Sequence, residues 1–141
     1  MIFIDTGAFL ARYLQRDQYH DAAMSQWAAL QQSQRLCFTS NLILTETLTL
    51  LGRRSSHAFA AERARNLHAS ESLTILRAEE KDDVAALDYF EKYADQRISF
   101  TDCVSFVLMK RMNINCAFTF DRHFTFAGFR VEPGSMADAG V

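Results

Sequence analysis

The chain has a single proline and five glycines in 141 residues, too few for a collagen-like repeat, a proline-rich linker or a low-complexity segment. Cysteine is also scarce. Cys37, Cys103 and Cys116 are odd in number and lack the C-x-x-C or Cys/His spacing of a zinc site or redox pair. Each lies in an apolar stretch, where a free thiol packs as a small hydrophobe, and a reducing cytoplasm is the expected compartment. An excess of basic charge is missing too: fifteen Lys and Arg face seventeen Asp and Glu, for a net charge of −2. No global positive field advertises nucleic acid or membrane, although a local site remains open to either. The first residues, Met1-Ile2-Phe3-Ile4-Asp5, have no basic leader and place a carboxylate in the first apolar run, unlike a signal peptide. The longest apolar run, Leu42–Leu51, is interrupted by Glu46 and is too short to span a bilayer.

What is present is the composition of one folded domain. Hydrophobic residues make up 49% and charged residues 23%, which excludes an intrinsically disordered chain. Short runs rich in β-branched and aromatic residues predict strands at Ile2–Ile4, Leu36–Thr39, Leu73–Leu76, Cys116–Phe120 and Phe129–Glu132. Between them, longer periodic segments predict helices at Gly7–Leu14, His20–Gln32, Leu42–Arg53, Ser56–Ala69, Glu79–Tyr93 and Thr101–Met112. Val84, Leu87 and Phe90 recur at the spacing of a core stripe. Strand and helix in alternation imply a single α/β domain over residues 1–133, with a central, mostly parallel five-stranded sheet flanked by helices. The two helices between the second and third strands suggest an arm beside the sheet. Residues 134–141 read as a flexible C-terminal tail.

Four acidic residues break the local pattern. Asp5 ends the first apolar strand, and Asp121 ends the fourth. Each has an ordinary explanation, as a helix cap or an Asx turn. Were those strands neighbours, however, the two carboxylates would emerge side by side and repel. Asp102 follows Ser99 by three residues at a helix start, which resembles a capping box with Asp in place of Glu. It also suits the helix dipole. Glu46 has Leu42, Ile43 and Leu50 as helical neighbours, which predicts a buried carboxylate in need of an arginine or a metal. Taken together, Asp5, Glu46, Asp102 and Asp121 are the donor set of an oxygen-ligated Mg²⁺ or Mn²⁺.

At these residues the sequence resembles the PIN-domain ribonucleases, and among them the VapC-type toxins of toxin–antitoxin pairs. The matching stretches are Phe3-Ile4-Asp5-Thr6-Gly7-Ala8, Thr39-Ser40-Asn41-Leu42 with Thr45-Glu46-Thr47-Leu48, Ser99-Phe100-Thr101-Asp102, and Thr119-Phe120-Asp121-Arg122-His123-Phe124. They follow the family's order and spacing across Met1 to Pro133. The resemblance implies a PIN-like fold, and Mg²⁺ or Mn²⁺ held by Asp5, Glu46, Asp102 and Asp121. It further implies endonucleolytic cleavage of RNA that leaves 5′-phosphate and 3′-hydroxyl ends. The partner it implies is an antitoxin whose C-terminal segment covers the acidic pocket; a homodimer that buries apolar helix faces is expected beside it. Many members carry Ser where Gly7 stands, so the supporting hydroxyls expected here are Thr6 and Thr119.

The chemistry agrees with the residue types. An acidic pocket accepts an anionic phosphodiester only after a cation inverts its charge, and the cation then activates water. No Ser-His-Asp or Cys-His set is evident as a protein nucleophile. Arg12 and Arg122, which follow the acidic strand ends, are the expected phosphate contacts, and His123 is expected to touch substrate. His20, His57 and His68 read as local hydrogen-bonding groups. The twelve phenylalanines read as core, with a surplus for a dimer face or antitoxin groove. A receiver-like signalling domain is disfavoured: Arg77 follows the middle strand, and the late strand ends in Glu132-Pro133. A catalytically silent PIN-like binding module is the remaining alternative, and a complete acidic quartet argues against it.

Overall fold

A computed structural model describes residues 1–134; of the expected tail, the part beyond Gly134 lies outside the described residues. Five strands form one sheet: β1 (Ile2–Ile4), β2 (Cys37–Ser40), β3 (Leu73–Leu76), β4 (Cys116–Phe118) and β5 (Arg130–Glu132). Their order is β3-β2-β1-β4-β5, and every neighbouring pair is parallel. Phe3 in β1 stands opposite Phe38 in β2 on one side and Ala117 in β4 on the other. β1 is entirely buried, as a central parallel strand covered on both faces must be, and its run of apolar residues follows from that. The edge strands β3 and β5 keep partly exposed residues. An Arg35–Glu132 ion pair of 2.7 Å, with Gln26 donating to the same carboxylate at 2.8 Å, ties the approach to β2 to β5.

The helices are α1 (Thr6–Tyr13), α2 (His20–Ser33), α3 (Asn41–Arg54), α4 (His57–Ala69), α5 (Glu80–Lys92), α6 (Phe100–Arg111) and the short α7 (His123–Phe126), with a 3₁₀ turn at Ala94–Gln96 before α6. α3 and α4 pack on each other, and α3 also packs on α1. Ser40, Ser56 and Ser99 cap α3, α4 and α6, each accepting a hydrogen bond from the backbone N–H three residues on. α6 buries Cys103, Val104, Ser105, Phe106, Leu108 and Met109, so apolar residues occupy most of its circumference. Phe106 meets Phe124 edge-to-face at 5.0 Å, a geometry that aromatic quadrupoles favour.

The sequence misorients one helix. Val84, Leu87 and Phe90 are exposed by 59%, 47% and 46%, so the stripe they form faces solvent. The buried side of α5 is instead Asp82 and Ala86, with Tyr89 and Tyr93 packed against the core. Buried Asp82 accepts from the partly exposed Arg111 of α6 at 3.1 Å, a contact between elements that helps orient α5. Among the described residues, no helix is long and apolar enough to cross a membrane.

Candidate active site

The chain leaves β1 toward β2 and β3, then returns to place β4 on the other side of β1. Such a reversal opens a crevice beyond the carboxyl ends of the two strands. Asp5 follows β1 there, and Thr119 and Asp121 follow β4. The Asp5 N–H donates to Phe118 O at 3.0 Å, pinning the two strand ends together. Although Asp5 occupies the cap position of α1, its side chain makes no cap hydrogen bond. The carboxylate accepts instead from Thr119 Oγ1 at 2.7 Å. The capping explanation therefore fails for Asp5.

Thr119 Oγ1 also accepts from the Asp121 N–H at 3.0 Å, so one hydroxyl organises two acids. Asp121 Oδ1 accepts from the His123 N–H at 2.9 Å, closing an Asx turn. The turn and the site coexist in this residue. His123 Nδ1 lies 3.1 Å from Asp121 Oδ1 and 4.0 Å from Asp102 Oδ2. At the start of α6, Ser99 Oγ accepts from the Asp102 N–H at 3.1 Å. Ser99 performs the capping, and the Asp102 carboxylate is left to the pocket.

Glu46 corrects the sequence expectation. It is exposed rather than buried, because the buried stripe of α3 runs through Ile43, Leu44, Thr47 and Leu51. Glu46 precedes Thr47 by one residue, about 100° around the helix. It stands at the pocket wall, where it accepts from Thr6 Oγ1 at 3.2 Å.

The cavity so formed has a volume of about 440 Å³ and is lined by all four acids together with Thr6, Gly7, Thr119 and His123. Tyr19 and Phe120, stacked at 4.5 Å with an interplanar angle of 3°, supply an aromatic wall. Arg54 and Arg97 are the cations lining it. Arg12 stands elsewhere, with its guanidinium 4.6 Å from the Trp27 ring centroid. Arg122 is exposed at the start of α7 and does not line the cavity. His20 is a local hydrogen-bonding group, with Nδ1 2.7 Å from Ala11 O. Sequence reasoning missed Arg54, Arg97 and Tyr19. Arg97 adopts a left-handed backbone (φ 55°) after the 3₁₀ turn, and no spacing in the sequence signals where that turn aims it.

Burial and repulsion distort the acids. Burial, and then the charges of Asp121 and Glu46, push Asp5 up to about 6 despite the Thr119 hydrogen bond. Asp102 is pushed up to about 8 by burial first, and then by the charges of Asp5, Asp121 and Glu46. Such a cluster is costly without a cation. Ligand atoms of Asp102, Asp121 and His123 lie within 4.8 Å of one another, a separation that one ion can bridge. The donor chemistry, mostly carboxylate oxygen, fits a hard divalent cation.

Comparison with known proteins places this geometry in context. Residues 2–129 match the PIN domain family. The chain is 33% identical over 132 residues to the 23S rRNA-specific endonuclease VapC20 of Mycobacterium tuberculosis, covering 92% of this chain and 95% of that protein. The crystal structure of that Sarcin-Ricin loop cleaving toxin superposes with a TM-score of 0.82 at 30% identity, over 92% of this chain and 96% of the other. FitAcB from Neisseria gonorrhoeae shares the fold at a TM-score of 0.67 and 18% identity, over 93% and 96% of the two chains. VapBC2 from Rickettsia felis, bound to a promoter DNA fragment, does so at 0.65 and 13%, over 94% and 98%.

Proposed function

The chain belongs to the PIN domain family, in its VapC-type branch, and from that premise we propose that it is a Mg²⁺- or Mn²⁺-dependent endoribonuclease acting as the toxin of a toxin–antitoxin pair. The observation that carries this reading is the convergence of Asp5, Glu46, Asp102 and Asp121 from four separate elements on one crevice at the sheet's reversal. The four acids would hold the cation, which when bound supplies charge inversion toward phosphate and an acidified water. Thr119 fixes the Asp5 carboxylate, and Thr6 fixes Glu46. Arg54 and Arg97 bring positive charge to the phosphodiester, compensating the acids around it. His123, held against Asp121, presents an imidazole for hydrogen bonding to a phosphate oxygen or the leaving hydroxyl. The VapC20 relative makes ribosomal RNA the first substrate class to test.

Two further features support partners. The exposed apolar stripe of Val84, Leu87 and Phe90 on α5 is a surface that a second copy would cover, giving a homodimer. The acidic crevice would receive a basic residue from a cytoplasmic antitoxin.

Purified protein incubated with ribosomal RNA tests the activity. Cleavage is expected with Mg²⁺ or Mn²⁺, none with EDTA, and a loss of orders of magnitude in Asp5→Asn. Cleavage that survives both EDTA and Asp5→Asn would overturn the proposal. Expression alone should slow host growth, and co-expression with the adjacent gene product should restore it.

A further inference from the structure

A second cavity, of about 550 Å³, adjoins the acidic crevice and shares Arg54 and Asp17 with it. Its volume falls within the roughly 300–1,000 Å³ of small-ligand sites, and nothing in the acidic chemistry uses it. Its apolar lining is Tyr13 and Leu14 at the end of α1 and Phe59 of α4. Arg16 and Arg54 line it as well. More positive charge stands over the two aromatic rings. The Arg12 guanidinium lies 5.4 Å from the Tyr13 ring centroid, and that of Arg63 lies 5.1 Å from the Phe59 centroid. Glu62 offsets part of the Arg63 charge at 3.0 Å. Asp17, the one lining acid among the described residues, already uses one oxygen to accept the Tyr19 N–H at 2.9 Å.

Aromatic and aliphatic side chains together with guanidinium groups in one cavity are the combination that holds an unstacked base and its phosphate in single-stranded RNA. Continuity matters as much as composition. A strand whose scissile phosphate lay among the four acids would pass Arg54 and enter this cavity with a neighbouring nucleotide. We propose that the cavity is a nucleotide subsite for the RNA substrate, with a base against Tyr13, Leu14 and Phe59 and its phosphate on Arg16 and Arg54. This rests on the ribonuclease reading above. An apolar segment of a protein partner is the competing occupant, but the guanidinium groups around the cavity favour a polyanion.

The test compares wild type with Arg16→Ala and Phe59→Leu, the second of which keeps apolar volume and removes the ring. Single-stranded RNA oligonucleotides and a minimal phosphodiester, bis(p-nitrophenyl) phosphate, are cleaved in parallel, and oligonucleotide binding is followed by fluorescence anisotropy across salt concentrations. Each variant should raise KM for the oligonucleotide about tenfold, and much less for the minimal substrate. Arg16→Ala should also flatten the log–log salt dependence by about 0.7, the contribution of one phosphate contact on a single strand. Arg130→Ala, on β5, should match wild type.

If wild type cleaves RNA and both variants match it in KM and salt slope, the subsite is overturned and the ribonuclease stands. Should the variants weaken only the binding of a protein partner, the cavity is a protein groove. If wild type cleaves no RNA but binds the oligonucleotide through Arg16, the ribonuclease reading falls and the subsite survives. Protein that neither cleaves nor binds RNA would overturn both.

Discussion

Asp102 sits where two demands meet: a helix start that welcomes any small acid, and a pocket that already holds the carboxylates of Asp5, Glu46 and Asp121. In the sequence the first demand hides the second, because Ser99 with an acid three residues later reads as a cap. Asp5 was legible as a crevice residue because it ends an apolar strand, whereas Glu46 lines the crevice for a reason other than the one its neighbours suggest. Its apolar neighbours predicted burial, and the structure exposes it. Since Ser99 supplies the cap, Asp102→Asn should fold normally, with Mn²⁺ affinity weakened and cleavage lowered by orders of magnitude. Its pH behaviour is more specific. An acid whose folded value of about 8 lies above its ordinary 3.8 binds its proton more tightly in the folded state. It therefore stabilises the fold at low pH and loses that contribution as pH rises from about 4 to about 8. In EDTA, wild-type melting should fall across that window while Asp102→Asn stays flatter. At pH 8 the variant should melt at least ~3 °C higher, as ~1 kcal/mol would produce in a chain of this size. Parallel curves would show that Asp102 is not an acid confined among others.

At the scale of elements, the strands and six long helices were readable, since each carries its own period and punctuation. What a single period does not give is rotation about the helix axis. α5 carries two candidate stripes, Val84-Leu87-Phe90 and Asp82-Ala86-Tyr89-Tyr93, and the more hydrophobic one faces outward. The choice depends on Arg111 of α6 reaching buried Asp82, a contact between elements that no local pattern contains. If the outer stripe is a dimer face, Leu87→Asp should leave melting nearly unchanged in the monomer while sedimentation shows dissociation. A variant that sediments like wild type would free α5 of that role. α1 offers a contrasting case. A Cβ built on Gly7 meets its nearest neighbour, the Phe120 ring, at 3.9 Å, an ordinary contact. Gly7→Ala should therefore gain ~0.4–1 kcal/mol in urea unfolding, by restricting the unfolded chain, with cleavage retained. Loss of cleavage at undiminished stability would mean that the crevice requires the open space at Gly7.

Across the whole molecule, the site is a consequence of topology more than of any segment. The acids arrive from the end of β1, from α3, from the start of α6 and from the turn after β4, and they meet only when the sheet order β3-β2-β1-β4-β5 is complete. The sequence contained that order only as a condition, that the first and fourth strands be neighbours. Strand adjacency is set by packing over long separations, so Arg54 and Arg97 on the same crevice were not foreseeable. The same convergence makes a global prediction. Folding brings like charges together, so the metal-free fold carries a repulsion that the unfolded chain lacks. A cation that binds only the folded state adds RT ln(1 + [L]/Kd), about 2.7 kcal/mol at a hundredfold excess over Kd. Millimolar Mg²⁺ or Mn²⁺ should raise the melting temperature by several degrees, and EDTA should reverse it. Asp5→Asn removes a charge from the cluster, so in EDTA it should melt no lower than wild type, yet respond less to metal. Calorimetry on the two proteins, with and without each ion, decides the matter. Wild type indifferent to both ions, or Asp5→Asn stabilised as fully as wild type, would mean that the four acids do not act as one metal site.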